Sequence, residues 1–189
     1  MKETPFSNYP YLNLPAFSTP NQENELIEVT DSFDRPLLLV SRSLALRQHL
    51  PRRIVQVCLK DATGRIFLQK RAVSLQRQPG LWDLSVTDEV LAGESSEGAA
   101  RRALMQVLGV VGSRLRLLSA LPYTDAYGAH LHASCYVAGP IHAHPTPSPL
   151  QVSDIMFVDK DELCGLVSHQ PTLLTFELIW AVRSGWLFM

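Results

Sequence analysis

"LAGESSEGAARRALMQVLGV", residues 91–110, is the stretch on which the fold of this 189-residue chain turns. It reads as one helix. Ser95 or Ser96 can accept a hydrogen bond from an N–H of the first turn, and Glu97 lies where the helix dipole favours a carboxylate. Gly109 follows the last turn, where the left-handed conformation costs glycine least. Ala100, Ala103, Leu104, Val107 and Leu108 recur at i, i+3, i+4, i+7 and i+8, the apolar stripe of a core-facing helix.

Upstream, "RRIVQVCLKD" (52–61), the turn "ATG" and "RIFLQKRA" (65–72) alternate apolar and polar residues as a β-hairpin does. The loop "VSLQRQPG" (73–80) then leads to a strand, "LWDLSVT" (81–87). Before the hairpin, "ELIEVTD" (25–31) and "PLLLVS" (36–41) read as two strands, and "SRSLALRQHL" (41–50) as a short helix stopped by Pro51. Downstream, "RLRLLSALPY" (114–123), "HLHASCYVAG" (130–139) and "DIMFVD" (154–159) read as strands. "KDELCGLV" (160–167) and "QPTLLTFELIWAVRSG" (170–185) read as helices. A mostly β body with one central helix and C-terminal helices is an α+β arrangement.

Residues 1–24 stand apart. Prolines at 5, 10, 15 and 20, interleaved with Phe6, Tyr9, Tyr11 and Phe17, block regular structure and favour an extended arm. Such a stretch reads as a disordered tail or, given its aromatic content, as an arm packed on its own domain or on a neighbour; either reading leaves residues 25–189 as a single domain.

Composition narrows the partners. A formal net charge of −1 gives no bulk argument for nucleic acid or an anionic membrane. No apolar run is long enough to span a bilayer, and "MKETPFSNYP" lacks the core of a signal peptide, so a cytoplasmic location is expected. Cys58, Cys135 and Cys164 are widely spaced and odd in number, which suits buried thiols better than a disulfide framework or a zinc site.

The segment from Asp88 to Val110 resembles the Nudix box, G-x5-E-x7-R-E-U-x-E-E-x-G-U with U an aliphatic residue. Glu94 falls at the first acid, Arg102 at the arginine, Leu104 at the aliphatic, Gly109 at the last glycine and Val110 at the closing aliphatic, without a gap. The opening glycine is Asp88, and the three helix glutamates are Ala103, Gln106 and Val107. "RIFLQKRA", "PGLWDLSVTDEVLAGES" and "SDIMFVDKDEL" resemble the segments flanking the box. The extension from Val29 to Val57 is similar to that of Nudix proteins related to isopentenyl-diphosphate isomerase.

The resemblance implies the Nudix fold, a mixed β-sheet sandwiched between helices (α/β/α). It also implies a small diphosphate-containing ligand, a nucleoside-diphosphate-linked or other diphosphate substrate hydrolysed with Mg2+ or Mn2+. Glu94, Glu97 and Arg102 are the candidate catalytic residues. Glu94, Asp88 and Glu89 are the candidate metal ligands, and Lys70, Arg71 and Arg77 the candidate substrate-binding cations. Three helix carboxylates at i, i+3 and i+4 would share one face and converge on a metal, and here that face carries none. Loop acids can rebuild such a site, with Asp154 a further acid. The bland reading keeps Arg102–Glu94 as a structural tie. Metal-dependent catalysis is therefore expected to be weakened or lost. The alternative is a non-catalytic binding or assembly module, with a homodimer through the arm or the apolar helix face. The isomerase needs a reactive cysteine near "LSVTDEV", and there is none, so that activity is not expected. His130 and His132 share one side of a strand, as do His142 and His144 if extended. Neither pair has a clear third metal ligand.

Overall fold

A computed structural model describes residues 24–142 and 144–189, so the stretch of residues 1–24 lies outside it but for its last residue. The organising element is β3 (Arg52–Asp61), whose ten residues alternate between two buried faces. It pairs antiparallel with β6 (Val86–Glu89) and parallel with β8 (His130–Ile141), and β7 (Leu115–Thr124) extends the sheet beyond β8. On the other side, β1 (Leu26–Thr30) touches the start of β3 through Val29 and Arg52, and β2 (Pro36–Ser41) pairs with β1. A second layer, β9 (Val152–Val158), β4 (Ile66–Arg71) and β5 (Trp82–Asp83), joins the first through the β3–β4 hairpin, where Lys60 pairs with Ile66.

Two apolar cores follow from the alternation along β3. Val55, Val57 and Leu59 pack under α2 (Ser96–Leu108) with Phe67, Val86 and Tyr136. Ile54 and Cys58 face the opposite way, into a cluster with Leu68, Leu84, Leu131 and Cys135. That cluster is covered by Leu163 of α3 (Lys160–His169), Leu178 and Ala181 of α4 (Phe176–Arg183), and Trp186. Helices thus lie on both faces of a mixed sheet, the α/β/α sandwich expected from the sequence. The remaining helix, α1 (Arg42–Arg47), is capped by Ser41 and stands beside β1 and β2.

Two elements differ from the sequence reading. "LWDLSVT" is not one strand but two, because the chain changes layers at Leu84 and Ser85. The Ser85 hydroxyl donates to the Phe67 carbonyl at 2.6 Å and accepts from the Leu59 N–H at 2.8 Å, stitching the layers together. The helix expected over 170–185 is likewise broken. A 3-10 turn (Pro171–Leu173) precedes an extended Leu174, and Thr175 restarts the chain as the N-cap of α4. Its N–H donates to the Trp82 carbonyl and its hydroxyl to Asp83 Oδ1, both at 2.8 Å, so tertiary bonds override the helical pattern.

Candidate functional site

The central helix is built as its sequence suggests. Ser95 accepts from the Gly98 N–H at 3.0 Å, and Gly109 ends the helix with φ of +66°. A side chain at Gly109 would also meet the Thr146 carbonyl oxygen at 3.0 Å, so conformation and space both call for glycine there. Ala99, Ala100, Ala103, Leu104, Val107 and Leu108 are all buried in the core beneath the helix. Ala103 and Val107, at the positions where a box helix would present carboxylates, are therefore packing residues. The apolar face of α2 is used by the chain's own sheet.

The carboxylates at the start of the box meet arginines instead. Arg42, the first residue of α1, reaches Asp88, Glu89 Oε2 at 2.6 Å and Glu25 at 3.3 Å. Arg102 on α2 holds the other oxygen of Asp88 at 2.6 Å, grips Glu94 with two bonds of 2.9 and 3.0 Å, and donates to the Glu89 carbonyl. Arg52, 2% exposed, lies 3.4 Å from Glu89 and donates to the Leu50 carbonyl at 3.0 Å. Three guanidiniums thus serve four carboxylates, all half-buried or deeper.

The electrostatics follow from those contacts. Burial opposes the charge on Glu89, but the guanidiniums of Arg42, Arg52 and Arg77 outweigh it and hold the carboxyl down at about 2. Glu94 is also lowered, its burial outweighed by the Arg102 bonds. Asp88, beside the charge of Glu89, is pushed up by its own burial. Such a network resists losing a member, since removing one partner of a buried pair costs about 3–5 kcal/mol.

Beside the network opens a cleft of about 470 Å³. Arg42, Ser43, Leu46 and Arg47 of α1 form one wall, and Leu75, Gln76, Arg77 and Gln78 of the loop after β4 form another. Thr87, Asp88 and Glu89 of β6 lie between them, with Arg71, Asp83 and Glu177 completing the lining. The loop is held by Arg71, which donates to the Arg77 carbonyl at 3.1 Å and pairs with Asp83 at 3.1 Å. Gln78 fastens it to α4, donating to Glu177 at 2.6 Å and accepting from the Phe176 N–H at 2.9 Å. Arg77 pairs with Asp125 at 2.9 Å and lies over the Tyr127 ring, whereas Arg47 has no carboxylate partner among the described residues.

The residues singled out from sequence fall in different places. Asp88, Glu89 and Glu94 converge through Arg102 and Arg42, with Asp88 and Glu89 on the cleft. Glu97 does not join them; it is exposed and pairs with Arg101 at 2.7 Å. Arg71 and Arg77 line the cleft, and Lys70 instead lies over the Trp82 ring. Asp154 is exposed and accepts from the Ile155 N–H, and His130 and His132 bond Thr124 and the Asp31 carbonyl. Among the described residues no three His, Cys, Asp or Glu side chains are grouped to hold a metal. Sequence reasoning missed Arg42, Arg47 and Arg52. They come from the extension before the box, where nothing in the local pattern separates a buried arginine from a solvated one.

Comparison with known proteins bears on family and fold. A family model described as the NUDIX domain matches residues 50–175. An isopentenyl-diphosphate Delta-isomerase of Rhodobacter capsulatus is 31% identical over 117 residues, 59% of this chain and 66% of its own, so the chain spans just under two thirds of that relative. A protein of Listeria monocytogenes described as an uncharacterized Nudix hydrolase is 34% identical over 129 residues, 66% of this chain and 73% of that one. Among solved structures, a Deinococcus radiodurans protein superposes with a TM-score of 0.73 at 22% identity, covering 85% of this chain and 98% of its own. That likeness shows a shared fold.

Proposed function

The chain belongs to the Nudix family, and on that premise we propose that its arginine-lined cleft binds a small diphosphate-containing molecule, with metal-dependent hydrolysis weak or lost. The observation that carries this reading is the capture of Asp88, Glu89 and Glu94 by Arg42, Arg52 and Arg102. Mg2+ and Mn2+ need several carboxylate or water oxygens at short range. Here those oxygens already face guanidiniums, the helix face offers Ala103, Gln106 and Val107, and a divalent ion would sit beside three positive charges. The residues present do not fit the family's metal. Arginine suits phosphate oxygens because its planar fork donates two parallel hydrogen bonds. Arg47, free of carboxylates among the described residues, is the readiest such group in the cleft, with Arg77 on another wall.

Turnover of a nucleotide panel with Mg2+ or Mn2+ tests this reading, alongside calorimetric binding of inorganic pyrophosphate with and without EDTA. Background turnover with EDTA-insensitive binding is expected. Divalent-dependent hydrolysis at ordinary enzyme rates, abolished by Glu94→Gln, would overturn it.

A second reading, assembly with a copy of the same chain, is favoured by β2. This edge strand leaves Leu37, Leu38 and Leu39 at 61%, 52% and 57% exposure. The division into an arm of residues 1–24 and one domain of residues 25–189 is part of that reading. Light scattering with and without the arm separates the two, since a monomer in both cases leaves only the ligand-binding role.

A further inference from the structure

The outer edge of β2 is a strand edge without a neighbour. Among the described residues β2 pairs with β1 alone and stands last in the sheet. The Arg42 N–H donates to the Glu25 carbonyl at 2.7 Å, which fixes the alternation of the β1–β2 ladder. Val40 and Leu38 turn their backbone groups toward β1, and Leu39, opposite Glu28, turns its N–H and C=O outward. Pro36 and a bulge guard only the start of the strand, and no charged residue stands on it. Leu38 shares one face with Val29, and Leu39 shares the other with Leu26, so exposed leucines flank the edge on both sides. An uncovered apolar edge of this kind recruits a further strand.

We infer that residues 11–14 of the same chain, YLNL, supply that strand and close the edge. The stretch is free of proline, lies between Pro10 and Pro15, and alternates Tyr11 and Asn13 with Leu12 and Leu14. Added beside β2, it sets an apolar side chain against the leucines on each face, and the flanking prolines stop the ladder from growing further. The tether is long enough. Glu25 sits at the Ser41 end of β2, where the chain enters the sheet. Residues 15–23 can extend about 30 Å, whereas the far end of β2 lies about 20 Å along the strand and about 10 Å across it. A segment so tethered has an effective concentration on the order of millimolar, far above that of a second copy in dilute solution. A single six-residue edge also falls short of the roughly 1,000 Å² that a stable interface between copies needs. The edge is thereby assigned to the chain itself rather than to assembly, whatever the cleft binds.

Amide hydrogen exchange followed by NMR, with the mass read by light scattering at the same concentrations, tests this in the full chain. The native chain should be a monomer whose Leu39 amide exchanges at least about tenfold more slowly than in the double variant Leu12→Asp/Leu14→Asp. Both changes lie outside the described domain, so its core is left intact. Reciprocally, Leu39→Asp, at an exposed position, should speed chymotrypsin cleavage after Tyr11 by about tenfold. A Leu39 amide that exchanges equally fast in native and double-variant chains would overturn the inference, as would equal cleavage after Tyr11 in native and Leu39→Asp chains. Protection of Leu39 that rises with protein concentration, in step with a dimeric mass, would give the edge to a second copy and overturn it too. Neither readout involves a ligand, so the outcome is separate from that of the diphosphate reading.

Discussion

Glu89 and Glu177 face the same cleft and are shifted in opposite senses by their neighbours. Glu89 is buried but held down at about 2 by arginines, so its contribution to stability is complete above the ordinary glutamate range near 4.5 and disappears as pH falls toward 2. Glu177 is pushed up by burial and then by the charge of Asp83, which outweigh the opposing Gln78 bond, its own backbone N–H and the charge of Arg77. Its ionisation therefore works against the fold at neutral pH, and the penalty is relieved as pH falls through the raised value toward 4.5. Glu177→Gln keeps an oxygen for Gln78 and removes the charge. Melts across pH 5 to 8 should show the variant more stable at the upper end, with the margin closing as the medium acidifies. A margin that widens on acidification would mean that Arg77 dominates at Glu177. At this scale the sequence was only partly readable. Glu94 and Arg102 stood out by their spacing, and the structure pairs them. Arg42 and Arg52 did not stand out, because the partners that make them matter lie 46 and 37 residues away.

The central helix was legible in nearly every respect, since its cap, apolar period and terminating glycine are all local signals. What local signals could not supply was the destination of Ala103 and Val107, which a sheet from elsewhere in the chain decides. Leu104, 1% exposed in the same core, sets the reference. Leu104→Ala should cost about 2–5 kcal/mol in urea unfolding. Ala103→Glu, which restores the usual box residue, should cost more, because it drives a carboxylate into an apolar cluster without a partner. Rescue of Ala103→Glu by Mg2+ would show that this helix face opens to a metal. The elements that sequence misplaced failed for the same reason. Ser85 and Thr175 read as ordinary interior residues of a strand and a helix until their bonds to Phe67, Leu59 and Asp83 redirect the chain.

Across the molecule, the sandwich was readable because alternation along β3 and periodicity along α2 agree on which faces are buried. The cleft was not, because its walls come from α1, the loop after β4 and α4, brought together only by tertiary structure. One of those walls is attached by few backbone pairs. The unit formed by β1, β2 and α1 meets the main sheet through the Val29–Arg52 pair and the Ile27–Leu91 bridge, and side chains add to these, Arg42 to β6, Arg53 to Glu28 and Asp34, and His132 to the Asp31 carbonyl. Amide hydrogen exchange reads such an attachment directly, since a weakly held unit opens at lower free energy than the core. The amides of β1, β2 and α1 should exchange before those of β3 and β8. Saturating pyrophosphate, bound by the closed form alone, should slow the first set and leave the second unchanged. Uniform slowing would place the opening in the whole domain. If the first set alone responds, occupancy of the cleft and cohesion of the amino-terminal unit are one equilibrium: an anion held by Arg47 fastens the wall from which that arginine projects.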